Sequence, residues 1–332
     1  MTVGGRLTRS AFRSRPDLAA PRFNCRRSAA LPIGRALVSI DASPSPSRLG
    51  QQQMNDSDRF DEFFATNRRN WDERVGVHLT DTSGIYRIDD FRNGEDSLGP
   101  IESAEIGDVT GKRLLHLQCH FGLDSISLER RGADVTALDF STAAVSAARG
   151  LAKEVGSNVR FVEANVYDAP ARVGGGFDIV FSSWGAIGWL PDIQRWANVV
   201  ATVLAPGGML YLAEGHPTLF LVEESDGRLE ITYDWSTPPS EPIVEIYDDT
   251  YAGDGRKIVN QTTYGWNHSF SSIFAALASA GLSLRLFHEH DMIPWRAFPS
   301  MEREGRMFVQ GRGQKKIPLA FSVRAERSPE TS

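Results

Sequence analysis

The sequence predicts an α/β protein with a largely parallel sheet and helices on both faces. Three observations lead there. From Arg113 onward, short apolar runs alternate with longer segments of helical periodicity. The first run, Leu114-Leu115-His116-Leu117, ends in a tight turn, Gln118-Cys119-His120-Phe121-Gly122, and a helix follows. The next run, Ala133 to Asp139, closes on an acid 23 residues after His116, near the roughly 20 that separate turn and acid in a βαβ nucleotide-type unit. In such a unit the turn holds a ligand at a helix N-terminus and the acid bonds ribose hydroxyls. The glycine pattern G-x-G-x-x-G of a dinucleotide turn is absent.

Residues 1–53 stand apart, with nine Arg, no Lys, only Asp17 and Asp41 as acids, and the run Ser43-Pro44-Ser45-Pro46-Ser47. They read as a disordered or targeting-like extension. An Arg- and Ser-rich, acid-poor composition is that of an organelle transit peptide. The lack of a long amphipathic repeat favours instead a disordered tail, or an extension upstream of a protein that starts at Met54. The segment carries +7, so residues 54–332 hold −13 within a chain total of −6.

Residues 54–110 are expected to form a helical cap region. Phe60, Phe63, Phe64, Trp71 and Val75 share one face of a helix over 55–75, with Asp56 or Ser57 as its cap. A loop over 78–100 holds Tyr86 and Gly94. The core follows: strand 113–118, helix 123–131, strand 134–139, a helix from the Ser141-Thr142 cap to Val155, strands 159–164 and 177–182, and a helix from Asp192 to Leu204. Ala205-Pro206-Gly207-Gly208 breaks that helix before strand 209–214. Between His216 and Asn267 the pattern changes to short alternating stretches, with a turn signal at Asp254-Gly255, and reads as an antiparallel insertion at about 216–267. Helix 271–280 ends at Gly281, Leu282, Leu284 and Leu286 alternate in a sixth strand, residues 312–316 read as a loop, and a last strand covers 317–324.

The turn Leu114 to Gly122, Asp139, and Ala205 to Gly208, in this order, resemble the class I S-adenosyl-L-methionine (SAM) dependent methyltransferases. The wording LHLQCHFGLDS is similar to a branch of that superfamily of undefined substrate. The usual pattern places an acid in the strand and three glycines in the turn; here His116, Gln118 and His120 replace the acid and two glycines, and only Gly122 remains. The resemblance covers about residues 111–325. It implies a Rossmann-like, doubly wound seven-stranded sheet, mostly parallel, with the seventh strand inserted antiparallel beside the sixth. It implies SAM as cofactor, held by Gln118, Cys119, His120, Gly122, Asp139, Phe140, Asn165, Val166 and Ser182. Asp139 suits two ribose hydroxyls, although Ser141 and Thr142 also make it a helix-cap residue. Phe140 and Val166 suit the adenine faces, and the Asn165 amide suits the adenine edge or a plain turn.

Methyl transfer to a small molecule is the function this implies, and the helical cap and the insertion would form the substrate lid. Trp71, Tyr86, Trp184, His216 and His268 are the candidate substrate residues, and Trp71, Arg74, His78 and Tyr86 form a polar-aromatic set. His120 and His216 are the candidate bases, having ring pKa values near neutrality in solution; a structural role competes at both. His288-Glu289-His290-Asp291 lacks a further ligand cluster, so no metal is expected. The acidic body and the absence of the amino-methylase motif after strand four disfavour nucleic acid. The competing readings are a protein or RNA methyltransferase and a non-catalytic SAM-binding regulator. No run of about 18 apolar residues suggests a membrane span. Two cysteines, Cys25 and Cys119, give no disulfide framework, and a reducing, cytoplasmic setting is expected, or an organelle if residues 1–53 are a transit peptide. Nothing in the sequence speaks to oligomeric state.

Overall fold

The computed structural model describes residues 56–252, 255–313 and 316–329. The extension over 1–53, the start at Met54 and Asp254 of the turn signal lie outside the described residues. Helix α1 (Asp56–His78) opens the chain. The stretch expected as a loop contains two short helices, α2 (Ile88–Arg92) and α3 (Pro100–Glu105). Pro100 stands in the first turn of α3, where a missing N–H costs nothing. Helices of five and six residues are too short to show periodicity, which is why the sequence reads there as loop.

The core alternates as expected: β1 (Arg113–Leu117), α4 (Leu123–Arg130), β2 (Asp134–Asp139), α5 (Thr142–Val155), β3 (Arg160–Glu163), α6 (Ala169–Val173), β4 (Phe177–Ser183), α7 (Ile193–Val203) and β5 (Leu204–Gly215). The helix starts follow cap chemistry. Ser141 accepts a hydrogen bond from the Ala144 N–H at 3.0 Å, and Asp192 accepts one from the Arg195 N–H at 2.8 Å. Leu114, Leu115 and Leu117 of β1 are fully buried, as in a strand covered on both faces. The Pro206-Gly207-Gly208 turn belongs to β5. It is a bulge across which the pairing with β4 jumps from Phe177–Leu204 to Ile179–Met209. A Cβ on Gly208 would lie 2.9 Å from both the Ala205 and Phe177 carbonyl oxygens, so this position needs glycine.

The insertion is two separate hairpins, β6 (Val222–Ser225) with β7 (Arg228–Ile231) and β8 (Ile243–Ile246) with β9 (Thr262–Gly265). Helix α8 (Phe270–Ser279), capped by Ser269, leads into β10 (Leu282–His290). A small antiparallel sheet follows that the sequence did not announce: β11 (Met292–Ile293), β12 (Glu302–Glu304) and β13 (Met307–Val309), in the order β11-β13-β12. The last strand, β14 (Ala320–Arg327), lies three residues beyond the expected 317–324. Pro318 has no N–H to give a ladder, and pairing starts where the Leu319 N–H meets the His290 carbonyl at 2.8 Å.

The main sheet has seven strands in the order β10-β14-β5-β4-β1-β2-β3. β14 runs antiparallel to both β5 and β10, and the other pairs are parallel. One apolar cluster joins the sheet to α7 and α8, including the fully buried Trp196, Val200 and Phe321. A second joins it to α4 and α5.

Candidate active site

β1 pairs with β2 on one side and β4 on the other, so successive connections leave β1 in opposite directions. A crevice opens at the carboxyl ends of such strands, where α/β sheets bind ligands. The turn after β1 lies there. Gln118, His120 and Gly122 have φ of +56°, +52° and +80°. All three glycine positions of the turn are therefore left-handed although two carry side chains, a conformation that costs a non-glycine residue roughly 1–2 kcal/mol. Each side chain is tied down. Gln118 Nε2 donates to the Ala186 carbonyl at 2.7 Å, strapping the turn to the loop after β4 across the crevice. The His120 ring packs on Phe121, Trp71, His78 and Tyr86, at 4.1, 5.3, 5.3 and 5.7 Å between centroids. Gly122 has no such option, because a Cβ there would lie 2.5 Å from the Phe161 ring. Gln118 Oε1 and His120 Nε2 are buried without a hydrogen-bond partner.

Asp139 ends β2 beside this turn and accepts the His120 N–H at 2.8 Å on one oxygen and the Ser141 N–H at 2.9 Å on the other. Burial raises its pKa to about 6, with the two N–H donors opposing that rise. Phe140 leads into a cavity of about 340 Å³ lined also by Glu163, Ala164, Asn165 and Asp168, and roofed by Phe64, Ala65 and Arg68 of α1. Asn165 uses its Oδ1 to cap Tyr167 N–H at 3.0 Å, the turn role weighed for it, and also lines this cavity. Val166 is buried in the core with Tyr167. Cys119 is buried, and burial pushes its thiol pKa well up, away from nucleophile chemistry.

A polar-aromatic cluster, buried at Arg74 and His78 and open at Tyr251, which is 44% exposed, lies on the other side of His120. Trp71, Arg74 and His78 come from one face of α1, Tyr86 from the following loop and Tyr251 from the insertion. His78 Nε2 bonds Thr250 Oγ1 at 2.7 Å, and the Tyr86 and Tyr251 hydroxyls meet at 2.6 Å. Burial, and then the charge of Arg74, lowers the His78 pKa to about 3. Burial, His78 and Arg74 together hold His120 well below its usual range. Trp189 closes the cluster at 5.4 Å from Trp71.

The other candidates lie apart from this cluster. His216 is 4% exposed; its Nδ1 accepts the Thr218 N–H at 3.0 Å and its Nε2 bonds Glu289 at 3.0 Å, so both nitrogens are engaged. His268 Nε2 bonds the Leu190 carbonyl at 2.8 Å and holds the loop after β4. Trp184, with φ of +53°, donates its indole N–H to Glu102 at 2.5 Å and packs on Trp295. Ser182 is fully buried, its hydroxyl unpartnered. Nε2 of His290 bonds Ser322 and Nδ1 of His288 bonds Glu105, and among the described residues no group of three or more His, Cys, Asp or Glu is arranged for a metal.

Two residues gave no signal as site groups. Glu214 lies beneath the β4 loop and accepts the N–H groups of Gly185, Ala186, Ile187 and Gly215 at 2.5, 2.7, 3.0 and 2.7 Å, which shapes the loop facing the turn. Tyr251 sits in a turn-rich stretch where residue type alone says little.

Strand order, turn and acid have the layout of a nucleoside-type cofactor site. The sequence comparisons point to methyl transfer. Residues 115–210 match a methyltransferase domain family. Over 176 residues the chain is 33% identical to the ubiquinone biosynthesis O-methyltransferase of Photorhabdus laumondii, spanning 53% of this chain and 66% of that protein. The enzyme of the same name from Cronobacter sakazakii is 30% identical over 145 residues, 42% of this chain and 57% of its own length. A solved structure of a putative S-adenosylmethionine dependent methyltransferase from Listeria monocytogenes superposes with a TM-score of 0.49 at 14% identity, covering 68% of this chain and 95% of that one. Residues 115–210 thus form a methyltransferase domain, set in a seven-stranded sheet of order β10-β14-β5-β4-β1-β2-β3. The chain spans only about two thirds or less of the length of these curated relatives.

Proposed function

We propose that the protein transfers a methyl group from SAM to a small-molecule acceptor. The observation that carries this is the juxtaposition of the left-handed turn, Asp139 and the Phe140 cavity at the sheet's switch point, next to a separate polar-aromatic cluster for a second ligand. The chain's residues fit SAM. The turn keeps a left-handed backbone at all three glycine positions, two buried polar atoms beside it lack partners, and the cavity carries an aromatic face and an amide. Asp139 would take the ribose hydroxyls, Phe140 and Asn165 the adenine, and the backbone from Gln118 to Gly122 the methionine part. Bound SAM would supply an electrophilic methyl group on a sulfonium.

The protein's part is then to place the acceptor in line and to keep water out. No strong base stands in the cluster. Both His216 nitrogens are bonded, and the neighbouring Arg74 charge disfavours a proton on His120. The acceptor therefore enters in its nucleophilic form or releases its proton to water. The acidic body supports a small acceptor over RNA. Among the described residues no helix is long and apolar enough to cross a membrane.

Calorimetric titration with SAM and with its demethylated product, S-adenosylhomocysteine, tests the reading. Wild type should bind both, and Asp139→Ala should weaken binding at least tenfold while circular dichroism stays native. Lack of binding to the folded wild type sinks the proposal, and unchanged affinity in the variant removes Asp139 from the site.

A further inference from the structure

Arg74 poses a physical problem. It sits in the inner face of α1, is 7% exposed, and its Nε is buried without a partner. Among the described residues its guanidinium makes no hydrogen bond and no ion pair; it lies over the Trp71 ring, 5.3 Å from guanidinium carbon to ring centroid. A guanidinium offers five N–H donors in a fixed fork, and a buried charge without partners costs several kcal/mol. The groups that act on it electrostatically are Tyr251, Glu245, Tyr86 and Asp249. Neither acid is within ion-pair distance. Burial lowers its pKa from the usual arginine range, and a guanidinium is the most persistently charged of the side chains.

The surroundings say what is missing. The rings of Trp71, His78, Tyr86, His120 and Tyr251 pack against one another beside Arg74. His78 and His120 are held neutral, so neither competes for an anion. The Tyr86–Tyr251 pair leaves phenolic groups at the rim. Apart from His120 these residues lie outside the 115–210 segment that matches the methyltransferase domain, on the cap and the insertion.

We propose that Arg74 anchors a carboxylate of the methyl acceptor, and that the acceptor is an aromatic or otherwise flat carboxylic acid whose body lies against Trp71, Tyr86 and Tyr251. This inference rests on the methyltransferase reading and names the substrate class of that same site. Planar, two-point pairing with a carboxylate is what the guanidinium fork is shaped for. The anchor leaves the transferred group undecided, since any nucleophilic atom elsewhere on the acid can face the cofactor.

The probes are benzoate and its neutral isostere benzamide, with indole-3-acetate and indole-3-acetamide as a larger pair, titrated into protein saturated with S-adenosylhomocysteine. The wild type should prefer at least one acid over its amide by tenfold or more. Arg74→Met should erase that preference, and Arg74→Lys should keep part of it. S-adenosylhomocysteine affinity should stay within about threefold of wild type in both variants, which also certifies the folded cofactor site. The proposal is overturned by equal binding of acids and amides to the wild type, or by a preference that survives in Arg74→Met. It is overturned as well if Arg74→Met weakens S-adenosylhomocysteine tenfold but leaves 5′-methylthioadenosine, which lacks the amino-acid carboxylate, unchanged; Arg74 then serves the cofactor. Failure of S-adenosylhomocysteine to bind folded wild type is a different result, and overturns the methyltransferase reading together with this one.

Discussion

Asp139 is a structural group and the proposed ribose-binding group, and its titration links the two. With a pKa of about 6, raised by burial, it loses its charge at a mildly acid pH. If the ionised carboxylate accepts ribose hydroxyls, affinity for S-adenosylhomocysteine should hold at pH 7–8 and fall as the pH drops through about 6. Asp139→Asn should bind weakly with a flat profile between pH 5 and 8; a wild-type affinity indifferent to pH there would contradict the assignment. Gly122 makes the opposite case, a residue with nothing to offer but space. Gly122→Ala meets both a φ of +80° and the Phe161 ring, and should cost about 2–4 kcal/mol in urea unfolding from strain and overpacking together. A loss under 1 kcal/mol would mean the α4 start relaxes freely. Of the turn, the sequence revealed the place and the surviving glycine. That Gln118 and His120 would keep the left-handed backbone could not be read, because it depends on Ala186 and on α1, which lie far away along the chain.

Among the elements, α3 and the loop after β4 hold the least expected chemistry. Glu102 of α3 is 1% exposed, and burial, with Asp124 nearby, raises its pKa to about 7 against 4.5 in the unfolded chain. The folded state therefore holds a proton that the unfolded state has released between those values, and stability contributed by this group is lost as pH rises from 4.5 through 7. Glu102→Gln can still accept the Trp184 indole N–H, and should be more stable than wild type at pH 8 by about 1–3 kcal/mol, with no gain at pH 4. Denaturant melts at both pH values decide it, and equal differences at the two would refute the shift. The regular elements from β1 to α7 were legible because caps such as Ser141 and Asp192 and long apolar runs act locally. The alternating stretches of the insertion were legible and became its two hairpins, whereas β11, β12 and β13 have strands of two or three residues, too short to stand out from loop by alternation alone.

Over the whole molecule, β14 is the strand on which closure of the sheet depends. It lies between β5 and β10 and pairs antiparallel with both, although it comes last in the chain. Ending the chain at Leu319 should remove cooperative unfolding and near-UV circular dichroism. A truncated protein that still melts in one sharp transition would show that β10 can do without its neighbour. The antiparallel place of this strand was expected from resemblance alone, since periodicity gives a strand but not its direction. The cap and insertion were expected to act as a lid, and α1 does roof the Phe140 cavity and supply Trp71, Arg74 and His78 to the second cluster. One helix thus borders both places where ligands are proposed.

The turn after β1 carries a conflict between two optima. Glycine at 118 and 120 would relieve the left-handed backbone at each position, by roughly 1 kcal/mol apiece. It would also cut the strap to Ala186 and remove the ring that Trp71, His78 and Tyr86 pack against. The sequence that makes the most relaxed turn is then not the one that best organises the site, and selection for thermal stability alone would be expected to drift toward glycine at the expense of turnover.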